Sequence, residues 1–317
     1  MQKRIHRWLR LSFLVTITIF FLGACGGNIV NNFPSSNTSP VATRLVKHAM
    51  GETKVPLHPK RIVALDSCAL DHALALGVKP VGAPHYYFTD SPYLKGKVEG
   101  IEDIGSPANL EKVLALKPDL ILGVPYDNNV IYTLTSQIAP TVLADFDGGK
   151  EWREALPLFG EALGKPDAAK QALANYYARI EKFKTQMGDR LKEIEVSLIN
   201  LYPEGYGLYQ EDTFAGLILK DAGLSRPPSQ SLPVNGQVII SQERIPEIDA
   251  DVLFVPNTDK FDMQKLLDKL QKDPLWSRLD VVQQGKVYKV GIYWFSCSSL
   301  AANAVIDDLF KYLVNTP

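Results

Sequence analysis

Short apolar runs alternate along the chain with longer amphipathic stretches, and this pattern sets the first expectations. Arg61–Asp66, Asp119–Val124, Thr141–Ala144, Glu195–Leu201, Asp251–Val255 and Lys286–Gly291 each read as a strand. Between them, Leu70–Leu76, Leu110–Leu116, Phe214–Ala222 and Met263–Leu270 carry helical patterns. Strands alternating with helices predict an α/β architecture with mainly parallel sheets. One stretch stands apart. Ala169, Leu173, Tyr176, Ile180, Phe183 and Met187 follow one another at intervals of four, three, four, three and four, a single continuous helical stripe. Pro166 near its start and Gly188 just past its end suit the two ends of a helix. At 1.5 Å per residue such a helix exceeds ~30 Å, which predicts a strut between two lobes.

A repeated unit lies on either side of that stretch. Asn109-Leu-Glu111 leads through an apolar-periodic segment to Asp119, which opens an apolar strand; Ser241-Gln-Glu243 leads in the same way to Asp251. In both copies a cap-type residue precedes a Glu by two positions, and that Glu precedes the Asp by eight. Asn and Ser satisfy free backbone N–H groups at a helix start, and a Glu in the first turn suits its positive end. Local helix physics accounts for each copy but not for one copy on each side of the strut, so two related lobes are expected.

The N-terminus carries a different signal. Lys3, Arg4, Arg7 and Arg10 precede an apolar run, Leu11–Leu22, that is too short to span a hydrocarbon core of ~30 Å comfortably. A basic head, a short apolar core and small residues describe a secretory signal. Its end, Leu22-Gly23-Ala24-Cys25, resembles the lipobox of bacterial lipoproteins, which implies acylation of Cys25 and anchorage to a membrane through lipid. Residues 26–43 are polar and broken by Pro, and read as a flexible tether. The expected organisation is a signal peptide at 1–24, a tether at 25–43, an N-terminal lobe at 44–164, a bridging helix at 165–188 and a C-terminal lobe at 189–317.

Charge narrows the classes of function. Cleavage after residue 24 removes four of the 34 basic residues and none of the 35 acidic ones, leaving a formal charge of −5. A mildly acidic chain is a poor partner for nucleic acid. Cys68 and Cys297 are read as two separate buried thiols, with a bridge between the ends of the fold as the alternative an exported protein allows. No Gly-x-Ser-x-Gly elbow, phosphate loop or His-Glu-x-x-His motif is present, so an enzyme is not expected, although Ser67-Cys68 with Asp66, Asp71 and His72 nearby leaves an envelope enzyme as a distant alternative.

Several short passages, taken in order, resemble the periplasmic solute-binding proteins of iron–siderophore and vitamin B12 importers. They are His48-Ala-Met-Gly-Glu-Thr-Lys-Val-Pro56, Pro59-Lys-Arg-Ile-Val-Ala-Leu65, Leu74-Ala-Leu-Gly-Val-Lys-Pro-Val-Gly82, Asn109-Leu-Glu111 with Lys117-Pro-Asp-Leu-Ile121, Asp273-Pro-Leu-Trp276 and Gly285-Lys-Val-Tyr288. The likeness runs from about residue 44 to the C-terminus, and its opening leans towards the iron–siderophore branch. The resemblance implies an α/β fold of two Rossmann-like lobes bridged by a single long α-helix, with the ligand cleft between the lobes and small hinge motion. It implies a monomer that works with an ABC permease dimer and its ATPase. It also implies that Glu111 and Glu243, one per lobe, dock on basic residues of the two permease subunits.

The same resemblance implies a ferric siderophore as ligand and no cofactor. Iron(III) takes oxygen ligands, and the siderophore supplies them, so no metal ligand is expected directly from the protein. Aromatic residues beside strand ends are the candidate walls: Tyr86 with Tyr87 and Phe88, Tyr126, Tyr206 and Tyr209, and Tyr293, Trp294 and Phe295. Tyr126, Tyr209 and Trp294 are the first choices among them. Hydroxamate and catecholate binders often carry a cleft cation shortly before the Asn-Leu-Glu motif; here only Ser106-Pro107-Ala108 stands there, which leaves Arg226 as the cationic candidate. Haem or cobalamin in the same fold is the main alternative, with His85 beside Tyr86 as the feature that keeps haem open. A bare-metal site is not expected, because no His lies in the second half. The implied location is the cell envelope: periplasmic in a Gram-negative cell, the outer face of the cell membrane otherwise.

Overall fold

The structure, a computed structural model, describes residues 42–87, 91–125, 129–147, 149, 151–232, 234, 236–256 and 263–315. The signal segment and Cys25 lie outside them, as does Tyr126. A hairpin of β1 (Thr43–His48) and β2 (Gly51–Pro56) comes first. The first lobe follows: β3 (Ile62–Ala64), α1 (Ser67–Ala75), β4 (Gly82–Ala83), β5 (Glu102–Asp103), α2 (Leu110–Ala115), β6 (Leu120–Gly123), α3 (Asn129–Thr135) and β7 (Thr141–Leu143). Its sheet runs in the order β5-β4-β3-β6-β7 and is parallel throughout. Every residue of β3, β6 and β7 is buried. A parallel sheet is covered on both faces, so its strands are continuous apolar runs rather than alternating ones.

A last helix of this lobe leads into the bridge. α4 (Trp152–Leu163) ends at Gly164, whose φ of 71° is left-handed and turns the chain sharply into α5 (Pro166–Met187). The helices approach closely at Gly160, where a Cβ would lie 2.6 Å from that of Ala169. α5 is the strut expected from the stripe, and its burial explains the pattern. Ala169 packs in the core of the first lobe. Tyr176, Ile180, Phe183 and Met187 pack in that of the second, and Leu173 touches both.

The second lobe holds β8 (Val196–Tyr202), β9 (Gly205–Tyr209), α6 (Phe214–Asp221), β10 (Gln237–Ser241), β11 (Val252–Pro256), α7 (Met263–Leu270), α8 (Asp280–Gln283), β12 (Val287–Val290) and α9 (Ser299–Leu309). The strand order β10-β9-β8-β11-β12 repeats that of the first lobe. Here the expectation of mainly parallel pairing meets an exception: β9 is antiparallel to both neighbours. Only Pro203 and Glu204 join β8 to β9, and so short a link makes a hairpin, whereas a parallel neighbour needs a crossover.

The repeated unit has a structural counterpart. Asp119, opening β6, accepts the amides of Lys60 and Arg61 ahead of β3 at 2.8 Å each; Asp251, ahead of β11, accepts the amide of Glu195 ahead of β8, also at 2.8 Å. The two helices differ. α2 is α-helical, with Asn109 Oδ1 accepting the amides of Glu111 and Lys112, while Gln242–Ile248 is a 3₁₀ segment containing Pro246. Proline lacks the N–H a longer helix would use.

The expectation of two separate thiols is corrected: Cys68 at the start of α1 and Cys297 ahead of α9 form a disulfide, with Cα atoms 5.4 Å apart. α9 itself packs against α1 and α4 of the first lobe, α6 of the second, and α5.

Candidate functional site

The seam between the lobes is built from chain that leaves the carboxyl ends of parallel strands. Asp66 follows β3, and the segment 291–298 follows β12. In open α/β sheets these ends are where ligands sit. Tyr93 of the first lobe meets Tyr293 of the second edge-on, with ring centroids 5.8 Å apart.

Beside this contact, one face of the second sheet stays open. Register puts Tyr202 with Gly205, Asn200 with Gly207, and Tyr209 with Gln237, all on one face of β8, β9 and β10. The opposite face, with Ile199, Leu201, Tyr206, Leu208 and Ile240, is core. On the open face Ile239, paired with Gly207, is 63% exposed. Gly207 gives the room: a Cβ there would strike Gln237 and the Tyr202 ring. Tyr209 and Phe295 stack nearly parallel with centroids 4.3 Å apart. Gln237 Nε2 donates to the Tyr202 hydroxyl at 2.6 Å, while Gln237 Oε1 is buried with no hydrogen-bond partner among the described residues. Burial, with a smaller contribution from Tyr202, holds the Tyr209 phenol well above its ordinary pKa, so it stays protonated and can donate. The result is an aromatic basin with hydroxyl and amide groups at hand, suited to a bulky ligand carrying polar oxygens.

The predicted residues fall into three groups. Tyr209 joins the basin, and Tyr86 is exposed just after β4. Trp294 needs correcting: it is fully buried, its ring lies 4.6 Å from that of Phe254, and its Nε1 donates to Asp308 at 2.8 Å. It is core, and its neighbour Phe295 supplies the aromatic face instead. Arg226 is buried in the second lobe beside the start of β8, donating to Gln230. Burial lowers its pKa to about 10, with Glu211 acting in the opposite direction. No contact joins Arg226 to the basin among the described residues. His85 donates Nε2–H to the Ile101 carbonyl at 2.8 Å, a bond that holds the loop after β4.

Tyr202 and Gln237 were missed. Period-two alternation in Gly205–Tyr209 separates Tyr206 from Tyr209, but Gln237 joins them only through strand pairing. The polar seam was missed as well. Asp71 Oδ2 accepts from Tyr93 at 2.7 Å and from Ser298 at 2.8 Å, and His72 Nε2 donates to the Cys297 carbonyl at 3.2 Å. Burial raises the Asp71 pKa to about 6 against the two hydrogen bonds and Lys97, with Asp66 adding to the rise. Burial also raises Asp66 to about 6 against three backbone amides, and lowers His72 to about 4.

Glu111 and Glu243 are both exposed. Each follows the edge strand of its sheet, β5 or β10, at the same end of the parallel strands. The Ser241 hydroxyl donates to Glu243 at 2.7 Å and holds its pKa below the usual range.

Comparison with known proteins bears on this geometry. Residues 62–291 match the family model described as periplasmic binding protein. The "Probable siderophore-binding lipoprotein YfiY" of Bacillus subtilis is 33% identical over 97% of this chain and 98% of its own. The "Iron(3+)-hydroxamate-binding protein YxeB" of the same organism is 30% identical over 87% of this chain and 86% of its own. Among solved structures, Staphylococcus aureus SirA complexed with staphyloferrin B aligns with a TM-score of 0.74 and 30% identity, covering 86% of this chain and 98% of that one.

Proposed function

We propose, since the chain belongs to the periplasmic binding protein family, that it is the substrate-binding lipoprotein of an ABC importer that captures a ferric siderophore between its lobes. The observation that carries the reading is the basin of Tyr202, Tyr209 and Phe295 on the open sheet face beside the interlobe seam. A siderophore encloses iron in its own oxygens and presents a bulky, partly apolar surface with polar edges. Aromatic faces and a phenol donor complement such a surface. Tyr86 and Tyr126 belong to the same reading from the first lobe. Arg226, buried and donating to Gln230, does not. The protein does no chemistry on the solute and needs no cofactor.

Lipid on Cys25 and a tether over residues 25–43 hold the folded part at the cell envelope, ahead of lobes at 44–164 and 189–317 and the bridge at 165–188. The protein acts as a monomer, handing its ligand to a permease dimer driven by an ATPase. Glu111 and Glu243 register it on the two permease subunits, since exposed charge steers encounter.

The test is intrinsic fluorescence of the full chain in detergent, titrated with ferric siderophores of hydroxamate, carboxylate and catecholate type, with haem and cobalamin as controls. Saturation at one equivalent by one ferric complex, weakened at least about tenfold in Tyr209→Ala, is expected. Saturation by haem or cobalamin alone would keep the fold and overturn the ligand. Glu111→Ala with Glu243→Ala should leave that titration unchanged and abolish uptake.

A further inference from the structure

We infer that the Cys68–Cys297 disulfide and the Asp71–Ser298 hydrogen bond are positioning groups for the solute basin: they fix segment 291–298 across the seam, so that Phe295 and Tyr293 stand at a set place against Tyr209 and Tyr93. The inference rests on reading Tyr209 and Phe295 as facing the solute.

Segment 291–298 belongs to the second lobe at its start and to the first at its end. After β12 it makes a 3₁₀ turn, Ile292–Phe295. Within that turn Tyr293 and Trp294 both donate to Asp308, at 2.7 and 2.8 Å, and Phe295 stacks on Tyr209. Two residues later the chain also bonds across the seam, while Ser298 keeps its place as the cap of α9 by accepting the Ala301 amide at 3.2 Å. Cys297 is bonded to Cys68, its carbonyl accepts from His72, and Ser298 donates to Asp71. All three partners are on α1, which is itself fixed by Asp66 accepting the Ala69 and Val124 amides at 2.8 Å each. The loop after β7 closes on the same segment: at Gly149, φ +90°, a Cβ would lie 2.6 Å from the Ser296 carbonyl oxygen.

A single linking helix leaves the lobes free to twist and bend about it. A second fixed point restricts that freedom to rotation about the line joining the two. The disulfide makes this second point covalent, and it lies two residues from Phe295. The aromatic face of one lobe is therefore located by the other lobe, through bonds that do not touch the solute.

The experiment is hydrogen–deuterium exchange of the full chain in detergent, comparing wild type with Cys68→Ala/Cys297→Ala and with Ser298→Ala. Wild type treated with dithiothreitol covers the case in which the double variant fails to fold. Amides of 292–299 and of α1 should exchange about tenfold faster without the bond, while those of β8 and β11 keep their wild-type rates. Ser298→Ala should give a smaller rise at the α1 amides, apart from the faster exchange at the start of α9 that loss of its cap brings, and Ser298→Thr should restore both. Release of a ferric trihydroxamate or ferric citrate, whichever wild type binds, should accelerate in parallel. Unchanged exchange at 292–299, or an equal rise throughout the molecule, would overturn the positioning role. If wild type binds no ferric complex of hydroxamate, carboxylate or catecholate type, the ligand reading falls while the exchange result still decides whether the seam is held this way.

Discussion

The two lobes share a strand order and differ in where one helix is placed. In the first lobe α1 lies between the first and second strands, β3 and β4, and all five strands are parallel. In the second lobe that place is taken by a two-residue turn, and the helix α6 comes after the antiparallel strand β9 instead. The change divides the work. The helix present only in the first lobe carries Cys68, Asp71 and His72, the groups that fasten the seam. The β8–β9 hairpin, in place of a crossover, leaves a sheet face with Gly207 as its floor and Tyr202 and Tyr209 as its walls. One lobe supplies the fixing and the other the open surface.

The largest effect that sharpens this division lies within the second lobe. Trp294 and Tyr209 are both aromatic and both near the seam, but Trp294 is core and Tyr209 is only partly buried. Trp294→Ala should destabilise the fold by about 3–5 kcal/mol, the usual cost of removing a fully buried aromatic. Tyr209→Ala should cost clearly less in stability and more in ligand affinity. Denaturant melts and ligand titrations on the same two variants check this. An equal loss of stability in both would mean that the basin is core and the second lobe has no open face.

A smaller effect tests the first lobe. Asp71 is buried with a pKa raised to about 6, facing Tyr93, Ser298, Lys97, Asp66 and its neighbour His72. For a carboxyl whose folded pKa is raised, the stabilising contribution is complete below the unfolded value of 3.8 and is lost as pH rises through 6. His72 has the opposite sign: lowered to about 4, it costs stability as pH falls from 6.5 through 4. Asp66, also raised to about 6, has the sign of Asp71, so in the whole protein the trends overlap and a variant separates out that of Asp71. Asp71→Asn can still accept from Tyr93 and Ser298 but does not titrate. Relative to wild type it should gain on the order of 2–3 kcal/mol between pH 4 and pH 7. Denaturant midpoints at pH 4, 5, 6 and 7 measure the difference, and a difference that stays flat with pH would remove Asp71 as a buried charge in the seam.

The sequence made the lobes legible and the seam illegible, for a physical reason. Burial on one face repeats at a fixed period, so the stripe from Ala169 to Met187 and the runs of β3, β6 and β11 are visible before any contact is known. The site depends on groups brought together across long separations. Cys68 and Cys297 are 229 residues apart, and Asp71 and Ser298 are 227 apart. Nothing local in either segment marks the partner. Trp294 and Phe295 are hard to tell apart in sequence for a similar reason: a 3₁₀ turn sends adjacent residues to different sides, and only packing decides which of them faces inward.

The smallest effect compares the lobes directly, at the two copies of the unit that carries Glu111 and Glu243. In the first copy Asn109 Oδ1 accepts two backbone amides at the start of α2, at 2.9 and 3.1 Å. In the second copy Ser241 makes no such bond; its hydroxyl donates to the Glu243 carboxylate, and the 3₁₀ segment after it holds Pro246. Losing a cap typically costs about 1 kcal/mol, because the helix-end amides lose their acceptor. Asn109→Ala should therefore lower stability by about that much, whereas Ser241→Ala should leave it within about 0.5 kcal/mol, as an exposed surface change does. The effect of Ser241→Ala belongs on Glu243 instead, whose carboxyl loses the donor that keeps its pKa low. NMR titration of Glu243 in wild type and Ser241→Ala reads that shift directly. If both alanine variants cost the same stability and Glu243 titrates unchanged, the two units are alike in their physics, and the lobes differ only in the placement of α1.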